Sequence, residues 1–540
     1  MDLTNFSLLF PDERSRQDYY SGKTLSDIDM YTLSELGMLE ILELKTSELS
    51  EYFTTDPEVM KYRREIFADM MSCPAISETF AKLMPVLSDI TELRRLEADS
   101  AAQSDDYLSS ITEIELYISC VEILYNGLTA AREQIKSRAF KALDERVREL
   151  AESEYYAELN KKLEELTKRV REIKSISIGV NLDAQLRPTY AGVLSINPQP
   201  FKSGDAIDKI LRLNFKDDEY TCIANLVPFG KKQSDNQKTA LSIAFNSAIN
   251  EVYRSSLKSW KKIVQTYVLE NTDFLISLMP EIEFFVKGTE MLDRLKTKGC
   301  PLCEPEVAPI SERVFVANEL CNPVVALKLR DGEEIVSNDV SFALDDALIY
   351  VLTGPNRGGK SVITCALGLS AAMMQLGMFV PAKSAKISPV DAIFTHFPTG
   401  ADDTIDKGRL GEECARLGEI FDSVTKYSIV LLDESFSSTG SYEGSYIASE
   451  VLSGLSQVGC RCLFATHLHE LAAEVDRINE QSRASGGVKI DTLVAGIEEG
   501  KRSFKIHRAK PDGKSYARDI AERYGLTYEN ILTKIGKKGC

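Results

Sequence analysis

The residues best placed to do chemistry sit in the stretch Leu352–Ser361, LTGPNRGGKS, where Gly354 is followed after four residues by Gly359-Lys360-Ser361. Glycines at this spacing let backbone N–H groups converge on phosphate oxygens. A lysine directly after them can reach the β- and γ-phosphates, and the next hydroxyl can hold Mg²⁺. The candidate cofactor-binding set is Gly354, Pro355, Asn356, Arg357, Gly358, Gly359, Lys360 and Ser361, with ATP and Mg²⁺ as the implied cofactors. Downstream, the apolar run Ser428–Leu432 ends in Asp433-Glu434. An acid at a strand end fits Mg²⁺ coordination, direct or through water, by Asp433. The acid beside it, Glu434, fits orienting and deprotonating an attacking water. A third apolar run, Cys462–Ala465, ends in Thr466-His467, and His467 can hydrogen-bond a γ-phosphate or the water. The polar stretch Glu434–Gly444, ESFSSTGSYEG, reads as a loop facing a neighbouring subunit.

These groups need rigid elements to bring them together. Leu348–Leu352 reads as a buried strand before the glycines, and Val362–Leu376 as a helix after them. From about Ser311 onward, short apolar runs alternate with helical stretches, which predicts an α/β sheet domain. The fold class expected for the whole chain is multidomain: a mainly α-helical core and lever region with long antiparallel helices and a small β tip, then an α/β P-loop ATPase domain.

Residues 1–104 read as a helical core, with apolar residues at helical spacing over Glu35–Leu49, Met60–Met71 and Ile76–Leu96, and with Pro57, Pro74 and Pro85 as punctuation. The basic pairs Arg63-Arg64 and Arg94-Arg95 read as solvated faces or intramolecular ion pairs. Residues 105–280 read as lever helices. One apolar stripe runs from Leu108 to Ile173, with a break in the seven-residue repeat near Ser153. A continuous helix over 105–174 would be about 100 Å long, and the expected partner is Asn236–Met279. Between them, at about 175–235, Ser175–Leu182, Tyr190–Ile196 and Glu219–Phe229 alternate like strands, and Pro188 reads as a turn. Lys231-Lys232, Arg254, Lys258, Lys261 and Lys262 near this tip read either as a solvated face or as a nucleic-acid contact. Residues 281–310 are a transition. Its Cys300-Pro-Leu-Cys303 reads as a loop with two thiols, since zinc would need two further ligands and only Cys321 is near.

The formal net charge of −18 argues against a uniformly basic nucleic-acid binder, so any such contact needs a local basic patch. No apolar run is long enough to span a bilayer, the N-terminus lacks a secretory pattern, and eleven scattered cysteines suit a reducing compartment. A cytoplasmic protein without membrane contact is expected.

TGPNRGGKS, VLLDES, STGSYEG and FATHLHEL, in this order, resemble the ATPase domain of the MutS family of DNA mismatch-repair proteins, which belongs to the ABC-type ATPases. Gly377–Ala382 (GMFVPA) and Ile393-Phe394-Thr395 match too. Gly513–Leu526 resembles the family's closing helix-turn-helix, expected at about 511–540. The resemblance covers roughly 311–530. It implies a homodimer or heterodimer, a homodimer being the expected form, with composite nucleotide sites. Lys360 would bind β/γ-phosphates, Ser361 and Asp433 would hold Mg²⁺, Glu434 would be the base, and His467 would sense the γ-phosphate. It places Ile335 and Val336 against adenine. Four departures stand out: no counterpart of the mismatch-reading wedge, none of the connector domain, Leu410-Gly411-Glu412 where Ser-Thr-Phe is usual, and Cys321-Asn322-Pro323 in place of Arg-His-Pro. The chain also stops at Cys540 with no endonuclease-like tail. The expected function is ATP binding and hydrolysis driving a dimeric clamp on branched or recombining DNA. A ribosome-associated MutS-like ATPase and an ATP-gated, non-hydrolysing interaction module are the alternatives.

Overall fold

The computed structural model describes residues 6–44, 47–99, 107–171, 175–186, 188–197, 199, 269–330, 332–355, 357–398, 408–498, 501–510, 522 and 524–536. These group into two compact bodies. One holds residues 73–135 and 140–280; the other joins 6–72 and 136–139 to 281–540. The grouping cuts across the boundaries expected from sequence, because residues 6–72 pack with the C-terminal half.

The chain opens with α1 (Glu13–Tyr20), α2 (Met30–Leu36), α3 (Met38–Leu42) and α4 (Pro57–Ser72). Asp12 and Asp29 cap α1 and α2 by accepting from the amides of Ser15 and Thr32. The helix expected over Glu35–Leu49 does not form as one piece. Gly37 (φ 84°) and Glu43 (φ 55°) adopt the left-handed conformation that ends α2 and α3. A Cβ on Gly37 would lie 2.9 Å from Val324 Cγ2, so close packing as well as φ demands glycine there. On α4, Arg64 pairs with Glu304 at 3.0 Å. Arg63 is neither solvated nor ion-paired. It is fully buried, donates to the carbonyl oxygens of Leu9 and Tyr52, and lies over the Phe10 ring. Burial pushes its pKa down to about 10.

The first body comprises α5 (Pro74–Asp99), α6 (Tyr107–Ala131), α7 (Arg138–Ala151, its first two residues aside), α8 (Glu154–Arg171), the strands β1 (Ser175–Leu182) and β2 (Pro188–Asn197), and α9 (Leu269–Ser277). Pro85 lies inside α5 and does not end it. The segment 105–174 is not a single rod of about 100 Å. It breaks after Ala131 and again at Ser153, whose hydroxyl accepts from the Tyr156 amide at 3.1 Å and starts α8. α8 returns to α6, where the Tyr156 hydroxyl donates to the Ile118 carbonyl at 3.3 Å. Among the described residues, α5 and α8 lie against α6. Of the expected partner Asn236–Met279, only the last eleven residues are among those described, and there Asp273 pairs with Arg94. Arg94 also binds Glu113 at 2.6 Å, and Arg95 binds Glu92 at 2.7 Å, so these basic residues are internal ion pairs. β1 and β2 form an antiparallel hairpin, with Pro188 entering β2 opposite Leu182. Glu219–Phe229 and the tip cluster Lys231, Lys232, Arg254, Lys258, Lys261 and Lys262 lie outside the described residues.

In the second body the chain continues through α10 (Met279–Thr297, its first two residues aside), β3 (Glu306–Val307), β4 (Phe315–Leu320), α11 (Pro323–Lys328), β5 (Asn338–Phe342), β6 (Ile349–Thr353) and α12 (Lys360–Gln375). Then come β7 (Ser384–Ile387), β8 (Ile393–His396), α13 (Gly408–Ser423), β9 (Ile429–Asp433), α14 (Ser441–Val458) and β10 (Arg461–Ala465). α15 (His469–Ala473), α16 (Val475–Ala484), β11 (Ile490–Glu498), β12 (Lys501–Arg508) and α17 (Tyr528–Gly536) close it. A six-stranded sheet has the order β12-β11-β6-β10-β9-β8, parallel except for the antiparallel edge strand β12. β6, β9 and β10 are buried at every residue, which is why they read as unbroken apolar runs. Leu417 and Ile420 of α13 and Ala448, Leu452 and Leu455 of α14 pack on Val430, Leu432 and Phe464 to form the core of one sheet face. A four-stranded sheet, β3-β7-β4-β5, adjoins in sequence. Most of the Gly513–Leu526 stretch lies outside the described residues. No helix among those described is long and apolar enough to cross a membrane.

Candidate functional site

The sheet order explains how motifs far apart in sequence meet. β6, β10 and β9 are parallel neighbours, with Ala465 registered beside both Leu352 and Asp433. Whatever follows their carboxyl ends therefore lies on one edge, the usual place for a ligand in an open α/β sheet. β6 delivers the glycine loop, β9 delivers Asp433-Glu434, and β10 delivers Thr466-His467.

In the loop, Gly354 has φ 142°, and a Cβ there would lie 2.7 Å from Ala495 Cβ. Arg357 is left-handed (φ 60°), and the Gly358 amide donates to the Pro355 carbonyl at 3.0 Å. Asn356 lies outside the described residues. Lys360 begins α12. Its side chain is buried, with Nζ donating to the carbonyls of Gly354 (3.2 Å) and Pro355 (3.3 Å) and lying 3.4 Å from Glu434 Oε1. The Ser361 hydroxyl hydrogen-bonds the Asp433 carboxylate, and burial raises the Asp433 pKa despite that bond. Asp433 Oδ1 is buried without a partner.

Glu434 has φ 52°, and its carboxylate is shared: one oxygen faces Lys360, the other contacts His467 Nδ1. The sequence motifs name Glu434 and His467 separately; the structure puts them in direct contact. Together Arg357, Gly358, Gly359, Lys360, Ser361, Val362, Glu434, His467 and Phe504 line a cleft of about 410 Å³. Ile335 and Val336, placed against adenine by resemblance, are absent from this lining. They precede β5, beside the strand that carries Phe504: Lys505 Nζ donates to the Ser337 carbonyl, and Asn338 Nδ2 to the Phe504 carbonyl at 3.2 Å. Phe504 itself, 42% exposed and left-handed (φ 56°), lies 3.7 Å from the position of a Cβ on Gly359. Its only signal in the sequence is an aromatic among charged residues, KRSFKIHR.

The donor set fits a nucleotide triphosphate with a divalent cation. A buried lysine beside glycine-lined space suits phosphate, and an unpartnered carboxylate oxygen next to a hydroxyl suits a hard cation. Other residues singled out in the sequence find local partners. Asn322 caps α11 through the Val325 amide, and its Nδ2 donates to the Val362 carbonyl at 2.8 Å, tying α11 to the first turn of α12. The buried thiols of Cys300 and Cys321 donate to the carbonyls of Pro301 (3.8 Å) and Glu319 (3.6 Å). Among the described residues no group of three or more His, Cys, Asp or Glu is arranged to hold a metal ion.

Residues 350–528 match the family model of MutS domain V, and residues 55–298 match that of the MutS2 N-terminal domain. Among curated proteins, the DNA mismatch repair protein MutS of Clostridium kluyveri is 36% identical over 232 residues, 42% of this chain and 25% of that protein. MutS of Myxococcus xanthus is 36% identical over 216 residues, covering 39% and 23%. MutS of Chloroflexus aurantiacus is 33% identical over 259 residues, covering 46% and 24%. The matched part is thus about a quarter of the length of these relatives.

Proposed function

We propose that this chain, a member of the MutS family, binds ATP with Mg²⁺ and hydrolyses it, and that the cycle drives a dimeric clamp on DNA. The observation that carries the reading is the convergence of Lys360, Asp433, Glu434 and His467 at the carboxyl ends of three adjacent parallel strands. Lys360 and the loop amides hold the β- and γ-phosphates. Ser361 and Asp433 hold Mg²⁺, which when bound neutralises charge on the phosphate oxygens. Glu434 orients the attacking water and takes its proton, while His467, already against Glu434, reports on the γ-phosphate. Phe504 offers its ring to the base. Of Glu434–Gly444, expected as one loop, Ser441–Gly444 form the first turn of α14 and Ser435 and Phe436 are buried; the exposed part Ser437–Glu443 faces a second subunit, and the helical body with its β1–β2 hairpin carries the DNA contact. Branched or recombining DNA is the ligand proposed for it.

Two substitutions test this reading. Lys360→Ala should abolish nucleotide binding measured with a fluorescent ATP analogue. Glu434→Gln should bind ATP and accumulate as an ATP-bound dimer in size-exclusion chromatography. Normal steady-state hydrolysis by Glu434→Gln would sink its role as the base. Binding to branched duplexes should weaken steeply with salt.

The MutS2-type match of the helical half favours one other reading, a MutS-like ATPase without mismatch domains acting on ribosomes. Co-sedimentation with ribosomes and no affinity for DNA would select it.

A further inference from the structure

The turn that presents Glu434 is unusual in its backbone. Glu434 (φ 52°) and Phe436 (φ 64°) are both left-handed, and neither is glycine. β-Carbons disfavour this conformation, so something must hold it. Two side chains from other elements do so. Glu413 of α13 accepts the Phe436 amide on Oε2 at 2.6 Å. His396, the last residue of β8, places Nδ1 2.7 Å from Ser435 Oγ, and its ring stacks on Phe436 with centroids 6.5 Å apart. His396, Ser435 and Phe436 are all buried. The Glu434 amide is fixed on the Ala465 carbonyl at 2.8 Å, so the turn is clamped on both sides of the carboxylate-bearing residue.

We propose that Glu413 and His396 are positioning residues for hydrolysis. They hold the backbone turn from which Glu434 meets the attacking water, and they touch neither nucleotide nor water themselves. The inference rests on the ATPase reading above. Glu413 lies in the first two turns of α13, directly after Leu410-Gly411-Glu412. A displacement of α13 thus changes the aim of the base directly.

Steady-state ATP hydrolysis by the full chain tests this, with kcat and KM separated and nucleotide affinity measured independently. Glu413→Ala should lower kcat by about 10²-fold, with KM and nucleotide affinity unchanged within about 2-fold. Glu413→Gln, whose amide oxygen can still accept from Phe436, should restore most of kcat. On the Glu434→Gln background, Glu413→Ala should cause no further loss, because its effect passes through the missing carboxylate. Should Glu413→Ala fail to fold, Ser435→Ala carries the test. It removes only a hydroxyl and should lower kcat by about 10-fold, again with no added loss on the Glu434→Gln background.

A loss of equal size on both backgrounds, a rise in KM without a fall in kcat, or no rescue by Glu413→Gln overturns the proposal. A wild-type chain that binds ATP but never hydrolyses it overturns the ATPase reading and this proposal together. Hydrolysis by the wild type with unaffected variants overturns the positioning role alone.

Discussion

The glycine loop 354–359 and the turn 434–436 line one cleft and solve the same backbone problem in largely different ways. The loop reaches positive φ mainly with glycine, at Gly354 (142°) and Gly359 (93°), beside Arg357 (60°). The turn reaches it with Glu434 and Phe436 and depends on Glu413, His396 and the Ala465 carbonyl to stay there. Glycine is needed where backbone itself must approach a ligand, because a side chain would occupy the space. A carboxylate is needed where the chemistry is, so the unfavourable backbone at Glu434 is sustained by packing, at a cost of about 1–2 kcal/mol per residue.

The largest effect that would separate the two regions is on chemistry. Glu434→Gln should lower kcat by about 10²–10⁴-fold while leaving nucleotide affinity within a few-fold, as measured by single-turnover hydrolysis and equilibrium binding. Gly354→Ala should do the reverse. It forces a Cβ to 2.7 Å from Ala495 Cβ at a φ of 142°, so it should cost about 2–4 kcal/mol of stability and weaken nucleotide binding. An unchanged melting temperature would show that the loop is not held as described.

A third prediction concerns pH. Burial depresses the His396 pKa to about 4, helped by the Arg416 charge, with the Glu413 backbone opposing. The folded state therefore keeps His396 neutral where the unfolded chain protonates it. That contribution is fully present above about pH 6.5 and is lost as pH falls toward 4. Full expression of the shift would be up to about 3 kcal/mol. Denaturant midpoints should fall between pH 7 and 5, and His396→Asn should flatten that fall. An equal slope in the variant would assign the acid sensitivity elsewhere. The smallest effect expected is at Phe504. Phe504→Ala should weaken ATP binding by about 1–1.5 kcal/mol through lost stacking, with kcat at saturation unchanged. Identical affinity would remove Phe504 from the base-binding surface.

The same contrast explains what could be read from sequence. The loop was legible because glycine is both the residue type and the conformational requirement. Asp433 and His467 were legible because each ends a fully buried apolar strand, and parallel neighbours bring such ends together. The turn was not. Glu413 and His396 lie 23 and 39 residues from the atoms they hold, and neither has a local pattern. Similarly, Ile335 and Val336 precede β5, while it is Phe504 that lines the cleft. In the helical half, periodicity gave helices at Met60–Met71 and Ile76–Leu96, which fall inside α4 and α5 and stop short of their ends. Gly37 and Glu43 split one stripe, and the break after Ala131 split another, because a stripe records which face is buried and not where the chain turns. Arg63, read as part of a basic pair that is solvated or ion-paired within the chain, is interior, with Nε and Nη1 on backbone carbonyls.

One consequence follows from the discontinuous make-up of the body that holds the site, in which residues 6–72 share a core with 281–540. During synthesis the first part emerges some 200 residues ahead of the second. At about 5–20 residues per second it waits on the order of 10–40 s for its packing partners. Leu36, Phe67 and Met70, buried in the finished protein, are exposed for that interval. The N-terminal helices are therefore made well before the segments that complete their core.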